Sequence, residues 1–187
     1  MRIKRESSVA VMIDIQERLF PHMIEKDRLE NNSIKLITGL KILNVPILFT
    51  QQYTKGLGET LASVKTALCS ETEVDETLGP IEKTAFSCGG SAPFMKQLKS
   101  RDRSIVLLFG IEAHVCVLQT ALDLQESGYS PVVVEDCTSS RKLNDKDIAL
   151  NRLTLEGIRT TTCESLLFEL CESADSKEFK DISRIVK

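Results

Sequence analysis

A chain of 187 residues, 42% of them hydrophobic, can bury a core of its own and has the length of one domain, residues 1–187. Its net charge of -3, with Lys and Arg scattered among acids, leaves no basic face for phosphate backbones or anionic lipid, which argues against nucleic acid and membranes as partners. The apolar run VAVMI near the start stops at Asp14, well short of a secretory signal or a membrane span, so a cytoplasmic protein is expected.

Apolar runs then alternate with helical patterns along the chain. VAVMID (residues 9 to 14) reads as a buried parallel strand that ends in a charge. NSIKLITGLKILN (residues 32 to 44) sets Ile34, Ile37, Leu40 and Leu43 at helical spacing, and PILFT (residues 46 to 50) follows as a second strand. Residues 51 to 82 are harder to read: a helix is expected from near Thr60, then an acidic stretch, with a short strand between Val74 and Thr84. The pattern resumes with a helix at SAPFMKQLKS, a strand at 104 to 110, a helix at 114 to 127 and a strand at 131 to 136. Residues 144 to 156 read as a helix, GIRTTTC as a strand, ESLLFELC as a helix and SKEFKDISRIVK as a last amphipathic helix. Strands alternating with helices through short connections imply a three-layer α/β/α domain with a mostly parallel sheet of about six strands.

Ligands of such sheets bind beyond the carboxyl ends of the strands, where strand order reverses. Asp14 closes the first strand, and Cys116 follows the fourth in the first turn of a helix. There a thiol meets unpaired N–H groups and the positive end of the helix dipole, which should lower its pKa and favour thiolate. A carboxylate at a neighbouring strand end could then move protons. Position alone favours plainer roles, packing for a cysteine on a sheet-covering helix and capping for an aspartate after a strand. The six cysteines include no CxxC pair, and His22 and His114 stand far apart, so neither a thioredoxin-like pair nor a structural zinc site finds its spacing.

Three segments taken together are more specific. AVMIDIQ, IEKTAFSC and GIEAHVCVLQTALDLQESGY resemble the aspartate, lysine and nucleophile segments of the isochorismatase-like cysteine hydrolases, in the family's order. ERLFPHM, VPILFTQQYTKGLGET, VVVEDCTSSR and SKEFKDISRIVK resemble the branch of isochorismatase domain-containing proteins, so that nearly the whole chain is covered. The resemblance implies a Rossmann-like, six-stranded parallel sheet in the order 3-2-1-4-5-6 and a triad of Asp14, Lys83 and Cys116. In that triad Cys116 attacks a carbonyl carbon, Asp14 moves the proton and Lys83 orients the carboxylate. It also implies a cis peptide between Ile111 and Glu112 that turns the N–H groups of Glu112 and Cys116 towards an oxyanion. Lys83 read without the motif would be a solvated surface lysine.

Two departures bear on the substrate. Nicotinamidases of this superfamily carry an Asp-x-His metal motif after the second strand, where this chain has QQYTKGLG, a poor metal site; no metal and no cofactor are expected. Isochorismatases proper cleave a vinyl ether and need no thiol, whereas this chain keeps Cys116, which favours an amide or related C–N bond of a small-molecule substrate. Vinyl ether hydrolysis and a weakly active binding or scaffold protein of the same fold stay open as alternatives. Redox sensing through Cys116 has less support, because no resolving cysteine lies close in sequence. Gln51, Gln52 and Tyr53 after the second strand, and His114 near the helix start, are candidate substrate-binding residues. Apolar stripes on the last helices (Leu166, Leu167, Leu170; Phe179, Ile182, Ile185) exceed what one sheet needs, which suggests a homo-oligomer, a dimer or a tetramer.

Overall fold

A computed structural model describes residues 2–69 and 79–187. Six strands, β1 (Ser8–Ile13), β2 (Ile47–Gln52), β3 (Ile81–Lys83), β4 (Ile105–Ile111), β5 (Ser130–Ser139) and β6 (Arg159–Thr161), form one sheet in the order β3-β2-β1-β4-β5-β6. Every pairing is parallel. All side chains of β1 and β4 are buried, because helices cover both faces and a central parallel strand has no solvent side. The order reverses at β1, which pairs with β2 on one side and β4 on the other, and this opens a crevice at their carboxyl ends.

Period-two alternation divides the core. Ala10, Met12, Ile47 and Phe49 face one layer, with α1 (Lys26–Ile42), α3 (Ala62–Leu68), α7 (Cys163–Cys171) and α8 (Phe179–Val186). Val9, Val11, Ile13, Leu48 and Ile81 face the other, with α4 (Ala92–Ser100), α5 (Leu118–Glu126) and α6 (Leu143–Leu155). Ser91 caps α4 by accepting the Phe94 N–H, and Thr162 caps α7 by accepting that of Ser165.

The differences from the sequence reading have physical reasons. Helix α1 starts six residues before the segment read as helical, since its first turns, KDRLENN, face mostly solvent and carry little of the periodic signal. One helical turn, α2 (Thr54–Leu57), follows β2 in the stretch that is harder to read from sequence. The strand expected between Val74 and Thr84 is present as β3, its residues 74 to 78 lying outside those described. Helix 114 to 127 is two pieces, a π-helical turn over Ala113–Val117 followed by α5. The stripes on α7 and α8 carry no surplus: Leu166, Leu167, Leu170 and Ile182 are fully buried, and Phe179 and Ile185 pack against the same core. Leu167 closes on Gly39 of α1, where a Cβ would lie 2.5 Å from its Cδ2. These stripes are core, and the argument they offered for a homo-oligomer lapses; the apolar side chains left exposed on a helix include Leu143, Ile148 and Leu155 of α6.

Candidate active site

Asp14 sits one residue beyond β1 with φ 52°. Extended backbone would send it to the face opposite Ile13, but the left-handed conformation, which aspartate tolerates better than most residues, ends the alternation there. Its carboxylate accepts from Thr50 Oγ1 at 2.7 Å and from Lys83 Nζ at 2.6 Å. Thr50 and Gln52 are alternate residues of β2, on the Leu48 face, and Lys83 ends β3 in register with Gln52. Lys83 Nζ also donates to Gln52 Oε1 (2.7 Å) and to the carbonyls of Phe86 (3.0 Å) and Ala85 (3.3 Å). Both side chains of the Asp14–Lys83 pair are 0% exposed. Four acceptors surround the three protons of the ammonium, so it has none to spare for another ligand. Burial opposes its charge, but the Asp14 carboxylate outweighs that and raises its pKa.

Cys116 lies in the π-helical turn beyond β4, its residue 7% exposed. The turn opens on Glu112, whose carbonyl accepts the N–H groups of Val115 (3.0 Å) and Val117 (3.2 Å). The Ile111–Glu112 peptide bond is cis. Gly110 just before it has φ 118°, and a Cβ there would lie 2.1 Å from the Ile13 carbonyl oxygen, so only glycine lets β4 run this close to β1. The thiol is pushed up to about 12, first by burial and then by the Asp14 carboxylate, while Lys83 pulls the other way. This corrects the expectation of a thiolate. A helix start lowers a thiol's pKa where little else acts, and here a buried position beside a carboxylate acts more strongly, so the resting group is S–H.

The structure thus brings Asp14, Lys83 and Cys116 together, and it adds residues that the sequence reading missed. Thr50 could have been found from its alternation with Gln52. Cys88, in the lysine segment, is buried within reach of the same charges and is raised to about 11, chiefly by burial. Glu112 contributes a carboxylate as well as a backbone, for its Oε2 accepts from the N–H and Nε of Arg141 at 3.1 and 3.0 Å. Of the four residues suggested to bind substrate, Gln51 points to the other face, where its amide donates to Glu59 and Thr60 and accepts from Thr54; it is a structural residue. Gln52 holds Lys83 and the Thr84 carbonyl. Tyr53 donates its N–H to the Lys83 carbonyl and stands half-exposed, as does Phe86. His114 Nδ1 shares a hydrogen bond of 3.0 Å with Ser140 Oγ. No group of three or more His, Cys, Asp or Glu able to hold a metal ion occurs among the described residues.

A doubly wound α/β domain with a thiol, a carboxylate and an ammonium at its topological switch point belongs to a hydrolase-like class. The family model described as "Isochorismatase domain" matches residues 8–165, and the chain belongs to that family. It is 35% identical over 187 residues to mouse isochorismatase domain-containing protein 2A, covering 100% of this chain and 85% of that one. Among solved structures it resembles one described as the MAR1 ribonuclease of Caenorhabditis elegans (TM-score 0.89, 35% identity, 100% of this chain and 92% of that one). It shares its fold with the Escherichia coli YcaC gene product, described as an octameric hydrolase of unknown specificity (TM-score 0.84, 21% identity, 92% of this chain and 83% of that one). No helix among the described residues is long and apolar enough to cross a membrane.

Proposed function

We propose that the protein is a metal-independent cysteine hydrolase that cleaves a C–N, amide-type bond of a small carbonyl substrate through Asp14, Lys83 and Cys116. The observation that carries the reading is the enclosed Asp14–Lys83 pair beside a buried thiol. A thiol raised to about 12 is a poor nucleophile until its proton has an acceptor, and the neighbouring Asp14 carboxylate is that acceptor. As Cys116 Sγ bonds to the carbonyl carbon, its proton passes to Asp14 and the carbonyl oxygen becomes an oxyanion, which the N–H groups of Glu112 and Cys116 receive. Collapse of the adduct breaks the C–N bond, and the amine leaves with the proton from Asp14. Water then attacks the thioester and gives its proton to Asp14, and the acid departs as the thiol re-forms. Lys83, with its hydrogens committed to protein acceptors, holds the Asp14 carboxylate in place instead of touching the substrate.

The worm relative is described as a ribonuclease, and phosphodiester cleavage is the second reading to test. A polyanion would need several uncommitted cations near the site, whereas the enclosed Lys83 is committed to Asp14, the exposed Arg141 is paired with the Glu112 carboxylate and the chain's net charge is -3; this favours a carbonyl substrate. Self-association into a homo-oligomer also belongs to the proposal, supported by the exposed Ile148 and Leu155, one heptad apart on α6. The test is a screen of small amides, ureas, vinyl ethers and an RNA oligonucleotide against the wild type and Cys116→Ala. Hydrolysis of an amide or urea by the wild type alone supports the reading. Turnover confined to vinyl ether or RNA, or undiminished in Cys116→Ala, overturns it.

A further inference from the structure

We propose that Arg141 is a positioning residue for the oxyanion site, acting through the Glu112 carboxylate to fix the peptide N–H that receives the carbonyl oxygen. The inference rests on the hydrolase reading and goes beyond its three residues.

Glu112 is the hinge of the nucleophile segment. Its backbone joins β4 to the π-helical turn, and its carbonyl accepts the Val115 and Val117 N–H groups of that turn. Its side chain would be free to rotate unless held, and a carboxylate only 9% exposed needs partners to replace the water it has lost. Arg141, just beyond β5, supplies them from 29 positions away: its backbone N–H and Nε converge on the same oxygen, Oε2, at 3.1 and 3.0 Å. Two donors on one acceptor, one of them from rigid backbone, fix the carboxylate more narrowly than a lone lysine ammonium could. The preceding residue grips the other end of the segment, since Ser140, fully buried, shares its hydroxyl with His114 at 3.0 Å. The stretch from Glu112 to His114 is therefore held from the side by Ser140 and Arg141. Thr50 and Lys83 hold the proton acceptor, Asp14, from the opposite side of the crevice. An oxyanion donor works only where it is aimed before the charge develops, so the residue that aims it should govern attack on carbonyls and leave other reactions of the thiol alone.

That separation supplies the test. With p-nitrophenyl acetate, Cys116 Sγ bonds to the carbonyl carbon, the C–O bond to the nitrophenyl group breaks, p-nitrophenolate leaves with the electron pair and the thiol proton goes to Asp14. This step builds an oxyanion. Alkylation by iodoacetamide displaces iodide at a saturated carbon and builds none. Both rates are read at Cys116 by peptide mass spectrometry, because Cys69 is exposed and also reacts. Arg141→Ala is expected to slow acetylation on the order of 10- to 100-fold, with alkylation changed by less than about threefold, within the range of a conserved thiol environment. Arg141→Lys should recover part of the loss, and Glu112→Ala/Arg141→Ala should be no slower than Glu112→Ala alone. The alkylation rate reports whether each variant is folded. Acetylation of Arg141→Ala at the wild-type rate, or a parallel fall of both reactions, overturns the positioning role and leaves the hydrolase reading intact. A wild type whose Cys116 is acetylated no faster than Cys69 overturns the hydrolase reading and this role with it.

Discussion

Two carboxylate–cation pairs stand on opposite sides of the Cys116 thiol, Asp14–Lys83 towards β3 and Glu112–Arg141 towards β5. In the first, both side chains are wholly enclosed; in the second, the arginine side chain is 59% exposed. An enclosed pair has given up its hydration on both sides and recovers it only through mutual attraction and the hydrogen bonds around it. A half-open pair keeps one partner in water and gives up less. The difference suggests a division of labour, with the closed pair setting where a proton rests and the open pair setting how a backbone is aimed.

Removing the cation from each pair is the sharpest way to break this comparison. Lys83→Met leaves a buried carboxylate without its partner and should cost about 3 to 5 kcal/mol in urea unfolding, whereas Arg141→Ala should cost about 1 to 2 kcal/mol. Equal losses would show that burial does not distinguish the two.

A smaller effect should appear in the pH response of Cys116. Its thiol is pushed up to about 12 by burial and then by Asp14. The folded state therefore holds a proton that the unfolded chain releases near an ordinary thiol pKa, and stability conferred by the thiol is present below about pH 9. That stability is lost as pH rises towards 12, and Cys116→Ala should flatten the decline in melting temperature over this range. Iodoacetamide labelling of Cys116 should likewise keep rising beyond pH 10. Asp14→Asn removes a group that holds the thiol protonated, so it should quicken alkylation at pH 8 while hydrolysis falls on the order of 10²- to 10⁴-fold. A labelling rate that levels off near neutral pH would mean a thiolate at rest and a different role for Asp14.

The smallest expected effect is none. The proposed chemistry polarises the carbonyl with backbone N–H groups, and the Gln51 and Gln52 amides are already committed to protein partners. Dialysis against a chelator should leave turnover unchanged. Activity lost on chelation and restored by zinc or manganese would overturn that account.

How much of this was legible beforehand depended on whether a residue's role is local. Asp14 and Cys116 follow long buried strands, β1 and β4, so their places at the sheet edge could be read from hydrophobic patterning alone. Lys83 could not: β3 has only three residues, too few to establish a period, and the lysine was identified by its motif. Gln51 and Gln52 looked equivalent as neighbours until strand alternation sent them to opposite faces. Glu112 and Arg141 meet across 29 positions, a pairing that no spacing rule suggests. The thiol's protonation was misjudged because the helix start is visible in the sequence and the burial that outweighs it is not.

The π-helical turn over Ala113–Val117 carries an evolutionary consequence. Such a turn holds one residue more than an α-helical path between the same ends, and each residue of an α-helix advances the side chains by about 100°. Loss or gain of a single residue here would swing the sulfur away from Asp14 even if every side chain were kept. The segment can accept substitutions at several positions, but its length is as much a part of the nucleophile as the cysteine is, and variation by insertion or deletion should be confined to the loops beyond it.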